Sequence, residues 1–238
     1  MVKEIISTIQ SYANPEKAKI LQRFFKTGKG QYGEGDIFLG IVVPIQRKIA
    51  KQFSSITLYD VTKLLKSKIH EHRLISLFIL ISQFSRGDEE TKKTIFDLYM
   101  SHTKYINNWD LVDLSSPNIV GEYLKDKHYT TLIEFAHSSC IWKKRIAMLA
   151  SFTDIKNGRF DRALSIAEIL VSDSHDLIQK AVGWMLREIG KRGGLWEEEK
   201  FLIKYGTAMP RTMLRYAIER FPEEKRLRYL KGSVILTK

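Results

Sequence analysis

The chain has 238 residues, of which 44% are hydrophobic, one cysteine (Cys140) and a formal net charge of +12. A lone cysteine excludes a disulfide framework and a thiolate metal site. The most apolar stretch, 74–81, falls far short of the roughly 20 residues that span a bilayer. Glu4, Ser7, Thr8 and Gln10 interrupt any signal-like apolar run, so the expectation is a soluble cytoplasmic protein with no membrane partner. The cation excess attracts polyanions, nucleic acid above all. It grows along the chain: residues 141–238 carry 20 Lys/Arg against 12 Asp/Glu, the first 140 carry 19 against 15.

Taken in order, almost every segment reads as helix. Val2, Ile5, Ile6, Ile9 and Ala13 have helical spacing. Asn14-Pro15-Glu16 is a helix start, with Asn14 as cap and Pro15 in the first turn. Ala18, Ile20, Leu21, Phe24 and Phe25 form the apolar face that follows. A glycine-rich break runs from Thr27 to Gly40. Pro44 opens another helix, Thr57 caps the next, and His70–Phe84 is long and apolar. Gly87-Asp88 separates it from a helix ending near Ser101. Further helical segments cover Tyr129–His137, Ile141–Ser151, Asp161–Val171, Ser174–Lys191, Trp196–Tyr205 and Pro210–Phe221, with a short one after Pro222. No segment alternates with period two, so the fold class is all-α.

A longer period overlies these helices. Arg73, Arg145, Lys180 and Arg215 occupy similar local contexts, separated by 72, 35 and 35 residues. The slot midway through the first gap is Trp109. A period of about 36 with two helices per repeat marks a helical solenoid of HEAT-like repeats. The expectation is one repeat domain over 1–238, an α-α superhelix. Its second helices would line a concave basic face bearing Arg73, Trp109, Arg145, Lys180 and Arg215.

Two motifs are set aside. Gly28-Lys29-Gly30-Gln31-Tyr32-Gly33 matches G-x-G-x-x-G but follows a helix and leads into loop, whereas the dinucleotide fingerprint follows a strand. A flexible or polyanion-contacting loop is the better reading. His70-Glu71-His72 has no matching ligand pair, and neighbours on a helix diverge by about 100°. It reads as structural, and no metal or organic cofactor is implied.

Asn108-Trp109-Asp110-Leu111-Val112-Asp113 stands out. Trp109 and Asp113 are four apart and share a helix face. Trp184 lies four residues after Lys180. A carboxylate beside indoles suits a cationic ligand, since an indole face attracts a cation by roughly 0.5–2 kcal/mol. The same pattern is open to a plain reading, in which Asp110 or Asp113 pairs with an arginine or caps a helix.

Five motifs then resemble one family in order: Asn14–Ala18, Phe38–Pro44, Trp109–Asp113, Trp142–Arg145 and Gln179–Glu188 are similar to the AlkD family of DNA alkylation-repair glycosylases. The resemblance runs from about residue 14 to about residue 220. It implies a HEAT-like superhelix that removes N3- or N7-alkylated purines from duplex DNA. It implies Asp113 as catalytic carboxylate, Trp109 and Trp184 flanking the lesion nucleotide, and Arg145 on nearby backbone. Phe24 stands where the family can carry a tyrosine, so a lesion contact there lacks the hydroxyl. His175-Asp176-Leu177-Ile178 stands where an aromatic pair can occur.

The chemistry fits these residues. Glycosidic cleavage passes through an oxocarbenium-like sugar. A purine alkylated at N3 or N7 is already cationic and departs neutral, so no general acid is needed. Asp113 would stabilise the sugar cation and hold water. Arg73, Arg145, Lys180, Arg187 and Arg215 would hold phosphates. A monomer on alkylated double-stranded DNA is the simplest reading. The alternatives are a non-catalytic nucleic-acid-binding module and a protein-binding scaffold.

Overall fold

The computed structural model describes residues 1–232. Among them there is helix and no strand; an isolated parallel bridge joins Ile37 to Ile69. The all-α reading therefore stands. No described helix is long and apolar enough to cross a membrane. The chain forms two compact units, Met1–Ser115 and Ser116–Lys238.

The first unit holds α1 (Val2–Ser11), α2 (Pro15–Phe24), α3 (Val43–Gln52), α4 (Leu58–Leu65), α5 (His70–Arg86), α6 (Glu89–Ser101) and most of α7 (Trp109–Ser116). Its helix starts are those the sequence marks. Asn14 accepts from the Lys17 amide at 3.0 Å, Thr57 from Asp60 at 3.2 Å and Asp88 from Thr91 at 2.9 Å. Each satisfies an amide the helix leaves open, worth about 1 kcal/mol.

Helix α5 is the centre of this unit, packed on α3, α4 and α6. It is buried on every side from His70 to Leu80. That is natural for Leu74–Leu80 but not for His70, Glu71, His72 and Arg73. Buried polar groups persist only when paired, and these four organise the turn ahead of them. The Glu71 carboxylate accepts from the amides of Leu39, Gly40 and Ile41 at 2.8–3.2 Å. The Ile37 carbonyl accepts from the His70 amide at 2.8 Å. Gly40 has φ +83°, and a Cβ there would stand 2.2 Å from the Asn14 carbonyl, so only glycine lets this segment pass so close to α2. The second half of the glycine-rich break 27–40 is therefore fixed backbone. Asp36, Phe38 and Ile41 are buried, and the Glu71 carboxylate holds the backbone.

The second unit contains a π-turn (Pro117–Gly121), α8 (Glu122–Leu124), α9 (Thr130–Ala136), α10 (Ile141–Ala150), α11 (Phe152–Lys156), α12 (Asp161–Leu170), α13 (Asp176–Lys191), α14 (Leu195–Tyr205), α15 (Arg211–Ala217) and α16 (Glu223–Leu230). Helix α9 pairs with α10 and α12 with α13; α10 lies against α13, and α13 against α15. This repeating pairing is what the 36-residue period encodes. Arg145, Lys180 and Arg215 are each the fifth residue of their helix, and Arg73 is the fourth of α5. Gly183 lets α13 and α15 meet closely, since a Cβ there would lie 2.4 Å from the Met213 carbonyl.

Candidate functional site

In the first unit the site is built at the start of α7. Asn108 is fully buried, while Trp109 and Asp113 are half-buried and therefore reachable. One helical turn separates them, so both project from one face. Tyr99, fully buried nearby, shares a 2.9 Å hydrogen bond with Ser115. Burial, with the Asp113 charge adding to it, pushes the Tyr99 hydroxyl well above the usual tyrosine range.

A cluster of packed rings lies behind Trp109. Phe25 stacks on it at 5.0 Å with 14° between planes. Phe38 stacks on Phe25 at 4.9 Å, and the His70 imidazole on Phe38 at 4.3 Å. Phe24 meets Trp109 edge-on at 5.9 Å and is 61% exposed. Three of the residues expected to contact a ligand, Trp109, Phe24 and Asp113, belong to this unit: an indole held from behind, an exposed ring at its edge, and a carboxylate one turn away. Offset and edge-to-face pairs of this kind are worth about 0.5–1.5 kcal/mol each beyond area burial.

His70 joins these rings to a buried charge cluster. His70 Nδ1 is 3.0 Å from the Asp36 carboxylate and Nε2 is 2.8 Å from that of Asp110. Arg73 donates to Asp36 at 2.6 Å and to the Ser67 carbonyl at 3.1 Å. The Asn108 amide donates to Asp36 at 3.3 Å. Burial opposes a charged His70, but the Asp110 charge and the hydrogen bonds to both carboxylates outweigh it and raise its pKa to about 9. The Asp36 carboxyl falls below its usual range despite burial, through its bond to His70 and the Arg73 charge.

The second unit places its candidates on adjacent helices. Lys180 is partly exposed and pairs with Asp176 at 2.7 Å, and Arg215 is exposed. Trp184 is half-buried, its indole nitrogen 3.3 Å from Glu188, with the Phe152 ring at 6.2 Å. Glu188 also binds Arg192, so the indole edge is held. Arg187 is half-buried and ion-paired with Glu219; burial lowers its pKa, and the Arg220 charge adds to that.

The stripe expected from the period needs correction at two positions. Arg73 is 3% exposed and committed to Asp36. It therefore offers no surface guanidinium for a phosphate. Arg145 is 5% exposed and donates to the Leu177 carbonyl, tying α10 to the start of α13. An arginine in this register can either snorkel or turn inward, and spacing does not tell them apart.

Sequence reasoning missed the cluster. It read His70 as structural and left Asp110 to an arginine or a cap; the partner is His70. A signal was present: His70 and Arg73 lie three apart on one helix face, and an acidic residue follows Trp109. Asp36, in a glycine-rich loop, carried none. Among the described residues no group of three or more His, Cys, Asp or Glu could hold a metal ion.

A family model described as DNA alkylation repair enzyme matches residues 5–221. A solved structure described as a predicted DNA alkylation repair enzyme from Enterococcus faecalis superposes with a TM-score of 0.67 at 17% identity, covering 89% of this chain and 97% of that one. At that identity the likeness shows a shared fold. No curated protein sequence matches the chain.

Proposed function

The chain belongs to the DNA alkylation repair enzyme family, and from that premise we propose that it is a DNA glycosylase. It hydrolyses the N-glycosidic bond of cationic N3- or N7-alkylated purines in duplex DNA. The observation that carries the reading is the pairing of a half-buried carboxylate, Asp113, with the fixed indole of Trp109 one turn before it. A protein that only binds phosphates has no use for a reachable carboxylate there, because the negative charge weakens its hold on DNA.

The mechanism follows from the leaving group. The alkylated purine carries the positive charge, so the bond breaks without a proton donor. Charge moves to the sugar ring, and the Asp113 carboxylate stabilises that oxocarbenium-like state and orients water for attack at C1′. Trp109 favours the cationic nucleotide through its π-face, with Phe24 at its exposed edge. In the second unit Trp184 is the further lesion-contacting candidate. Lys180 and Arg215 have the exposure a phosphate contact needs, with Arg187 and Arg145 nearer the interior. No cofactor enters, and the chain acts as a monomer.

The test is release of base from a duplex carrying a single N7-methylguanine, with wild type beside Asp113→Asn. Release above the spontaneous rate, lost in the variant while duplex affinity is kept, supports the reading. Salt-sensitive duplex binding without release would leave a non-catalytic DNA-binding module.

A further inference from the structure

We infer that His70 is a doubly protonated positioning residue that holds the start of α7, and with it Trp109 and Asp113, in register. The inference rests on the glycosylase reading for its consequence but not for its geometry.

The geometry concerns protons first. A neutral imidazole carries one N–H, and its other nitrogen is an acceptor. His70 faces a carboxylate oxygen at both nitrogens, at 3.0 Å and 2.8 Å. Only the imidazolium donates in both directions; a neutral ring would set a lone pair against a carboxylate. The charges around it agree. Asp36 comes from the loop, Asp110 from α7 and Arg73 from α5 itself. Glu71 is turned to the amides of Leu39–Ile41, and the Phe38 ring stacks on the imidazole at 4.3 Å with the Phe25 ring tilted against it at 5.2 Å. With His70 charged, the cluster holds two cations and two anions. Loss of its proton leaves one buried carboxylate uncompensated, which is costly in a site this dry.

The second step leads to the site. Asp110 binds His70 through one oxygen and caps the Leu111 amide with the other at 2.9 Å. Asn108 caps the Trp109 amide at 2.8 Å and binds Asp36 through its amide group. Both residues flanking Trp109 are therefore tied to carboxylate-imidazolium contacts of one cluster. Asp113 lies one turn further along the same helix. Phe25 and Phe38 carry the link a second way, since His70 stacks on Phe38 and Trp109 on Phe25. His70 touches no reacting atom. It fixes where the indole and the carboxylate stand, and misplacement by an ångström costs a catalytic group about a hundredfold.

The test uses the full chain labelled with 5-fluorotryptophan and with 15N at the histidine rings. Trp109→Phe assigns the Trp109 fluorine signal. The expected result is a His70 ring protonated at both nitrogens at neutral pH. Its titration, the Trp109 signal and the single-turnover release of N7-methylguanine should then share one alkaline transition near 9. His70→Gln keeps a polar side chain that can donate to one carboxylate, without a titrating charge. It should lose the transition and release base about tenfold to a hundredfold more slowly, with duplex affinity close to wild type. Asp110→Asn should shift the Trp109 signal in the same direction. His70→Lys, which restores a cation, should recover part of the rate and move the limb to higher pH. A singly protonated ring at neutral pH, or a Trp109 signal unmoved by alkali and by His70→Gln, overturns the inference. If the Trp109 signal behaves as expected but no protein releases base, the positioning role stands and the glycosylase reading fails.

Discussion

The Phe25 ring lies flat against Trp109, 5.0 Å away with 14° between planes, and is itself 7% exposed. One face of the indole is therefore committed to the core, and Phe24 borders the rest from an exposed position. The two neighbouring phenylalanines divide the work. Phe25→Ala should cost stability, about 3–5 kcal/mol, read as a lowered midpoint in urea. Phe24→Ala, at a site 61% exposed, gives up only its two edge-on ring contacts and should cost about 1 kcal/mol, well below Phe25→Ala, yet slow base release. Equal effects of both on stability would count against this division.

Asp113→Asn is nearly isosteric at a half-buried site, so the fold should survive. Losing a charge aimed at a developing cation should cut the single-turnover rate by about a hundredfold to a thousandfold. Circular dichroism and duplex affinity should stay close to wild type. A variant that loses binding and release together would point to a structural role.

Binding should weaken steeply with salt, because each phosphate contact releases counterions. Lys180→Ala and Arg215→Ala should each reduce the slope of log K against log salt by about 0.9, in a filter-binding or anisotropy titration. Arg73→Ala should behave differently. Its guanidinium is 2.6 Å from buried Asp36, so removal leaves an uncompensated charge and costs about 3–5 kcal/mol of stability. A normal fold with a reduced salt slope in Arg73→Ala would return that residue to the DNA-facing set.

Stability should fall as pH rises from neutral to about 10, with two groups responsible. His70 is raised from 6.5 to about 9. Its contribution is complete below the unfolded value and is lost as pH climbs through the folded one; it amounts to about 3 kcal/mol. In the second unit, burial and the neighbouring Glu199 charge raise the Glu198 carboxyl from 4.5 to about 8. The folded state there keeps a proton the unfolded chain has released, so stability drops between those two values and stays reduced above them. In urea melts at several pH values, His70→Gln should flatten the upper part of the curve and Glu198→Gln the lower. A pH-independent midpoint across this range would contradict both shifts.

Gly183 offers a packing test. A Cβ would stand 2.4 Å from the Met213 carbonyl and 2.6 Å from the Tyr216 Cβ. Gly183→Ala should therefore lower stability by about 1–3 kcal/mol, although alanine favours helix. An unchanged or raised melting temperature would show that α13 and α15 shift apart without penalty.

The sequence by itself determined the helices, most of their starts and the repeat register. These depend on local patterns: caps at Asn14 and Thr57, the Gly87-Asp88 break, apolar periodicity, and the recurring fifth-residue cation of α10, α13 and α15. It also determined that Trp109 and Asp113 share a face, since four residues make one turn. Only the tertiary structure decided which cations reach solvent. Arg145 and Lys180 are both the fifth residue of their helix, yet one is buried and donates to the Leu177 carbonyl while the other is partly exposed. Only the structure brought Asp36, His70 and Asp110 together across separations of 34 and 40 residues. Charge pairing depends on distance in space, and the sequence spacing of these three follows no periodic rule. A histidine with carboxylates at both nitrogens is invisible until the chain has closed around it.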